Sequence, residues 1–139
     1  MKRTDARLAI ALAGKRLSQE SHGGQTFHVA AAAPLRVPRA PAFLLPAFDE
    51  FLVGYADRTA VIDELHAVRL NAGGGMLAPT IVVDGQVVGT WKRRLGGGQV
   101  LFTPAPFEPL KKAHAAAVVG ALQRFARFLG LVAAPDHGC

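Results

Sequence analysis

Short apolar blocks split by turn residues mark residues 79–104, PTIVVDGQVVGTWKRRLGGGQVLFTP. They predict a meander of three antiparallel strands. Ile81, Val82 and Val83 are β-branched and apolar, which suits the first strand. Asp84-Gly85 is a two-residue hairpin signal, because a type I′ turn needs positive φ at both central positions. The second strand runs from Gln86 through Trp91 into the cations Lys92, Arg93 and Arg94. The glycines of residues 96–98 make the next turn, and residues 99–103 form the third strand. A different spacing governs the end of the chain. Leu110, His114, Val118, Leu122, Phe125 and Leu129 recur every three or four residues, with Lys111, Lys112, Arg124 and Arg127 mostly to the side. That pattern predicts a long amphipathic helix. Pro109 suits its first position and Gly130 its end.

Upstream, Leu8 and Leu12 with Ala9, Ile10 and Ala13 predict an amphipathic helix over residues 4–21, capped by Thr4 or Asp5 and stopped by Gly23-Gly24. Residues 25–29 read as a short strand. Pro34, Pro38 and Pro41 each lack a ladder donor, so residues 34–42 are expected to be an extended linker, made basic by Arg36 and Arg39. The densest apolar run, residues 43–62, is expected to be mostly buried, with Pro46 and Gly54 preventing a long helix. Asp63 is placed to cap a short helix over residues 64–70. The expected organisation is residues 1–33 as the end of one unit, 34–42 as linker, 43–131 as an α+β domain and 132–139 as a tail.

Composition narrows the class. The chain has 139 residues, half of them apolar, which excludes a disordered polar chain. Sixteen Lys and Arg against ten Asp and Glu give a formal charge of +6, which favours polyanions. Plain solubility charge is the competing explanation. Cys139 is the one cysteine, so neither an internal disulfide nor a thiolate metal site is expected, and a reducing cytoplasm is the expected location. No apolar run approaches the ~20 residues that span a bilayer.

Catalytic constellations are thin. Asp49 and Glu50 are adjacent and point apart on any regular element. In Asp57-Arg58 a turn can present both groups, either as a local ion pair or as an arginine oriented toward phosphate. His22, His28, His66, His114 and His137 have no metal spacing, so no metal or cofactor is expected. The glycines of residues 73–75 are not followed by Lys and Ser/Thr, unlike a phosphate loop. The basic cluster is stronger. In an extended strand Lys92 and Arg94 share one face, and Trp91 and Arg93 the other. Such a ribbon can meet phosphates, although cations also protect exposed strand edges.

Leu44-Leu45-Pro46-Ala47-Phe48-Asp49-Glu50, Gly54-Tyr55-Ala56-Asp57-Arg58, Pro79-Thr80-Ile81-Val82-Val83-Asp84-Gly85 and Val88-Gly89-Thr90-Trp91-Lys92 resemble the C-terminal part of winged-helix DNA-binding proteins related to the YcaQ/AlkZ DNA glycosylases. The Thr4-Asp5-Ala6-Arg7 helix and Phe27-His28-Val29 resemble the end of a winged-helix unit of that family. The resemblance runs from about residue 4 to 131 and implies a tandem winged-helix protein on double-stranded DNA. In the glycosylase branch it implies excision of alkylated purines through a Gln-x-Gln or Gln-x-Asp motif. Gln19, Gln25, Gln86, Gln99 and Gln123 start no such motif, so no catalytic residue is assigned in this chain.

The expected fold class is α+β: a winged-helix remnant, then a small antiparallel three-stranded sheet packed by the long C-terminal helix. The expected role is DNA binding through Arg58, Trp91, Lys92, Arg93 and Arg94, with Asp57 orienting Arg58. The alternatives are a non-catalytic module that packs on an N-terminal half, and a small-molecule enzyme using Asp49 and Asp57 in a deep pocket.

Overall fold

The computed structural model describes residues 2–31 and 42–135. Contacts divide the chain into two units, residues 1–37 and 38–139. The expected linker lies outside the described residues except for Ala42, and so do residues 136–139.

The first unit holds helix α1 (Arg3–Ala13), a 3-10 turn (Gly14–Arg16), and strands β1 (Leu17–His22) and β2 (Gln25–Ala30). The helix is shorter than the expected 4–21. Asp5 accepts the backbone N–H of Lys2 at 3.2 Å at its start, and the chain leaves the helix at Gly14. The residues from Leu17 onward pair instead with β2, from Leu17↔Ala30 to His22↔Gln25. Gly23-Gly24 is therefore the hairpin turn and not a helix stop. No described side chain of this unit is fully buried, as befits a segment too small to enclose a core.

The second unit is built on five strands in the order β3 (Ala42–Leu45), β4 (Thr80–Val83), β5 (Gln86–Gly96), β6 (Gln99–Pro106) and β7 (Val132–Pro135). The expected three-stranded meander is the middle of this sheet. Strand β3 extends it on one side, antiparallel to β4, and β7 on the other, parallel to β6. Residues 132–135, expected in the tail, thus form an edge strand. The Asp84-Gly85 turn has φ of 50° and 78°, as its sequence predicts.

Two apolar layers cover the sheet. Helix α4 (Lys112–Phe128) packs Val118, Ala121 and Ala126 against Ile81, Val83, Trp91, Val100 and Phe102. It begins three residues later than its proline suggested, with Lys111 at the cap position. Its end is a Schellman motif: Leu131 N–H donates to Ala126 O at 2.9 Å and Gly130 N–H to Arg127 O at 3.0 Å, with Gly130 at φ 69°. On the opposite face, Leu52, Ile62, Leu70, Val82 and Val87 form a second cluster. That layer contains two short helices, α2 (Glu50–Val53) and α3 (Glu64–Ala67). Asp49 Oδ1 caps α2 through Phe51 N–H at 3.0 Å, and Asp63 Oδ1 caps α3 through Leu65 N–H at 2.8 Å. The run 43–62 is less buried than expected. Leu52 and Ile62 are enclosed, but Phe43 on edge strand β3 is exposed, and so are Phe48, Val53 and Tyr55, because the segment after β3 is a thin cover over one sheet face with an outer side of its own.

A bulge sets which side chains face α4. Ile81 pairs with Gly89 but Val82 with Val87, so Val88 is extra. Val87 faces the second cluster, whereas Val88 and Trp91 face α4. Just beyond the bulge, a Cβ on Gly89 would lie 2.6 Å from Pro106 Cα and 2.7 Å from Ala105 O, so glycine is needed for β5 and β6 to approach. Thr80 is completely buried in β4, and its hydroxyl has no hydrogen-bond partner among the described residues.

Candidate nucleic-acid interface

Strand β5 outruns β4. Its pairing with β4 ends at Thr80↔Thr90, whereas pairing with β6 continues to Gly96↔Gln99. Residues 92–99 are all exposed. The sequence places Lys92, Arg93 and Arg94 where this arm leaves the core.

Trp91 is the root of the arm and is corrected from a surface contact to a core residue. It is 3% exposed, its Nε1–H donates to Leu45 O at 3.0 Å, and its ring lies 5.9 Å from Phe102 and 5.5 Å from Phe125. An indole so enclosed, with its one donor satisfied inside the fold, offers no face for a base to stack on.

Arg93 lies on the α4 side. Its guanidinium carbon sits 5.1 Å from the Phe125 ring centroid and 5.9 Å from that of Trp91, within cation–π range. The stem therefore packs while the charge stays at the surface. Alternation along the strand puts Lys92 and Arg94 on the other face, the side covered by the layer that contains Arg58. Arg58 is half-buried there, and its Nε–H donates to Leu52 O at 2.6 Å. Asp57 Oδ1 accepts from Thr59 N–H at 3.0 Å and Thr59 Oγ1–H at 2.7 Å, which shapes the turn before Arg58.

Several polar contacts brace these elements. Arg124 Nη2 donates to Ala42 O at 2.8 Å and ties α4 to the β3 edge. Arg69 donates to Phe107 O at 3.0 Å and lies 5.4 Å from its ring centroid. His66 and His114 approach Glu108 and Asp84 at 3.6 Å and 3.3 Å. Both histidines border a cleft of about 280 Å³. Each of these contacts joins residues 30 or more apart in sequence, so no local spacing signals them. Among the described residues no group of three or more His, Cys, Asp or Glu side chains is placed to hold a metal ion. No described helix is long and apolar enough to cross a membrane. Among the described residues, neither Asp49 nor Asp57 lines the 280 Å³ cleft or a larger one of about 450 Å³.

No curated protein matches the chain. Among solved structures it is similar to Streptomyces sahachiroi DNA glycosylase AlkZ, with a TM-score of 0.67 and 22% identity over 98% of this chain. The match covers 38% of that protein, so the chain spans well under half of its length. That likeness concerns the fold. The family model described as DNA glycosylase AlkZ-like matches residues 1–128, and on that coverage the chain belongs to the AlkZ-like DNA glycosylase family.

Proposed function

We propose that the chain is a DNA-contacting C-terminal portion of a winged-helix protein related to DNA glycosylases, and that its second unit meets the phosphates of duplex DNA through the β5–β6 arm. The observation that carries this reading is the run Lys92-Arg93-Arg94 on a strand that leaves the core while Trp91 anchors it. Cations lie on both faces of the ribbon, and Arg93 is steadied by two rings. In this reading α1 and the β1–β2 hairpin are the end of one winged-helix unit, residues 34–42 link it to the second, and residues 43–131 carry the DNA-facing surface. Base excision belongs to the longer protein, since no glutamine here starts the family's Gln-x-Gln or Gln-x-Asp motif.

Phosphate contacts predict weak, sequence-tolerant binding that falls steeply with salt. The test is a titration of fluorescent duplex DNA at several salt concentrations with the wild-type chain and a Lys92→Ala/Arg93→Ala/Arg94→Ala variant. Equal affinity and equal salt dependence for the two would refute the assignment to this arm.

A second reading is favoured by the first unit. Leu8 and Leu12 of α1 are 62% and 74% exposed, which suits a module that packs on an N-terminal half of a longer protein. Under that reading, co-expression with such a half raises the melting temperature of the first unit, and the isolated chain shows no salt-dependent DNA binding.

A further inference from the structure

The second apolar cluster is not sealed. Ile62 and Leu70 are buried at its base, but beside them the covering layer opens into the cleft of about 450 Å³. Val68 and Met76 line it as well and are 76% and 51% exposed. Protein interiors rarely leave voids larger than a water molecule, and a cleft of this volume lies in the range of small-ligand sites. Its lining gains from an apolar body that covers those side chains.

Arg58 gives the cleft its chemistry. The bond from Nε–H to Leu52 O fixes the guanidinium plane. The two terminal nitrogens have no hydrogen bond or ion pair among the described residues. Among the described residues, no carboxylate lines the cleft to neutralise them. A half-buried guanidinium is partly stripped of water, and its open fork matches two oxygens of a phosphate or carboxylate.

We propose that this cleft binds a small ligand consisting of a flat apolar ring that carries one oxyanion. The ring covers Ile62, Leu70 and Met76, and the oxyanion takes the fork of Arg58. The same chemistry is met in a free aryl phosphate or carboxylate and in a single unstacked nucleotide of a DNA strand. The site is separate from the β5–β6 arm and does not depend on it.

The test is an NMR titration of the isotope-labelled chain with phenyl phosphate, with inorganic phosphate and phenol as the two halves of the probe. The expected result is saturable shifts of the Asn71, Gly75 and Leu77 amides by phenyl phosphate, at least tenfold tighter than by either half. Arg58→Met removes the fork. Ala67→Glu instead places a negative charge at the wall from an exposed position of α3, and keeps the test intact if the first variant fails to fold. Either change weakens phenyl phosphate at least tenfold in a folded chain. Absence of saturable shifts, equal binding of phenol or of inorganic phosphate, or full binding by folded Ala67→Glu would overturn the proposal. Single-stranded DNA then separates the sources. Displacement of the probe supports a nucleotide as occupant, and simultaneous binding supports a free ligand. Failure of the chain to bind DNA at all would remove the interface reading and leave this one standing.

Discussion

Trp91→Phe separates a core residue from a DNA contact. Phenylalanine keeps an aromatic ring between Phe102 and Phe125 but loses the N–H that donates to Leu45 O at 3.0 Å. A lost internal hydrogen bond costs about 1 kcal/mol. The indole also fills space that the smaller ring leaves empty at a site 3% exposed, and a partial large-to-small change of this kind adds roughly 1–2 kcal/mol. The sum, about 2–3 kcal/mol, corresponds to a fall in melting temperature of roughly 8–20 °C for a domain of this size. The assay is thermal and urea unfolding of the two proteins, followed by DNA titration at a temperature where both are folded. The expected outcome is a large stability loss with DNA affinity changed less than twofold. A melting temperature within 2 °C of wild type, together with a tenfold loss of affinity, would refute the placement of Trp91 and the reasoning from it.

Gly89→Ala forces a Cβ to within 2.6 Å of Pro106 Cα, so it is expected to lower stability by about 1–3 kcal/mol through overpacking, read in urea unfolding. Thr80→Val keeps the shape of a fully buried residue while removing a hydroxyl without a partner; a gain of about 1 kcal/mol is expected, and calorimetry showing a clear loss would indicate a hidden partner for that hydroxyl. Lys92→Ala is expected to reduce the slope of log affinity against log salt by about 0.9 and to leave the melting temperature within a degree or two, which parallel binding and unfolding curves check.

The parts of the fold legible in the sequence are those fixed by neighbours. Asp84-Gly85 sets the β4–β5 turn, Asp63 caps the helix after it, and the spacing from Leu110 onward describes most of α4. Strands β3 and β7 were not legible, because each is a strand only by virtue of a distant partner: Ala42 opposite Val83, and Val132 opposite Gln99. The first helix ends at Ala13, short of the expected residue 21, because Gly-Gly turns a hairpin as well as it ends a helix. Trp91 shows a different limit. Its neighbour Lys92 lies on the exposed arm, and only the extra residue at Val88 turns the indole toward α4. The split of Arg93 from Lys92 and Arg94 followed from alternation alone, since no bulge lies between them.

The parallel strand β7 bears on how the molecule is made as well as how it is held. Until α4 has crossed the sheet, the outer edge of β6 carries unpaired backbone groups beside Val100 and Phe102, a template for another chain. In the finished sheet the four residues from Val132 to Pro135 occupy that edge through Gln99↔Val132 to Phe102↔Pro135. Pro135 supplies no backbone donor to prolong the ladder. A chain cut after Gly130 is therefore expected to retain much of its secondary structure yet to self-associate in a concentration-dependent way, because the missing strand is a cover against neighbours before it is a support for the core.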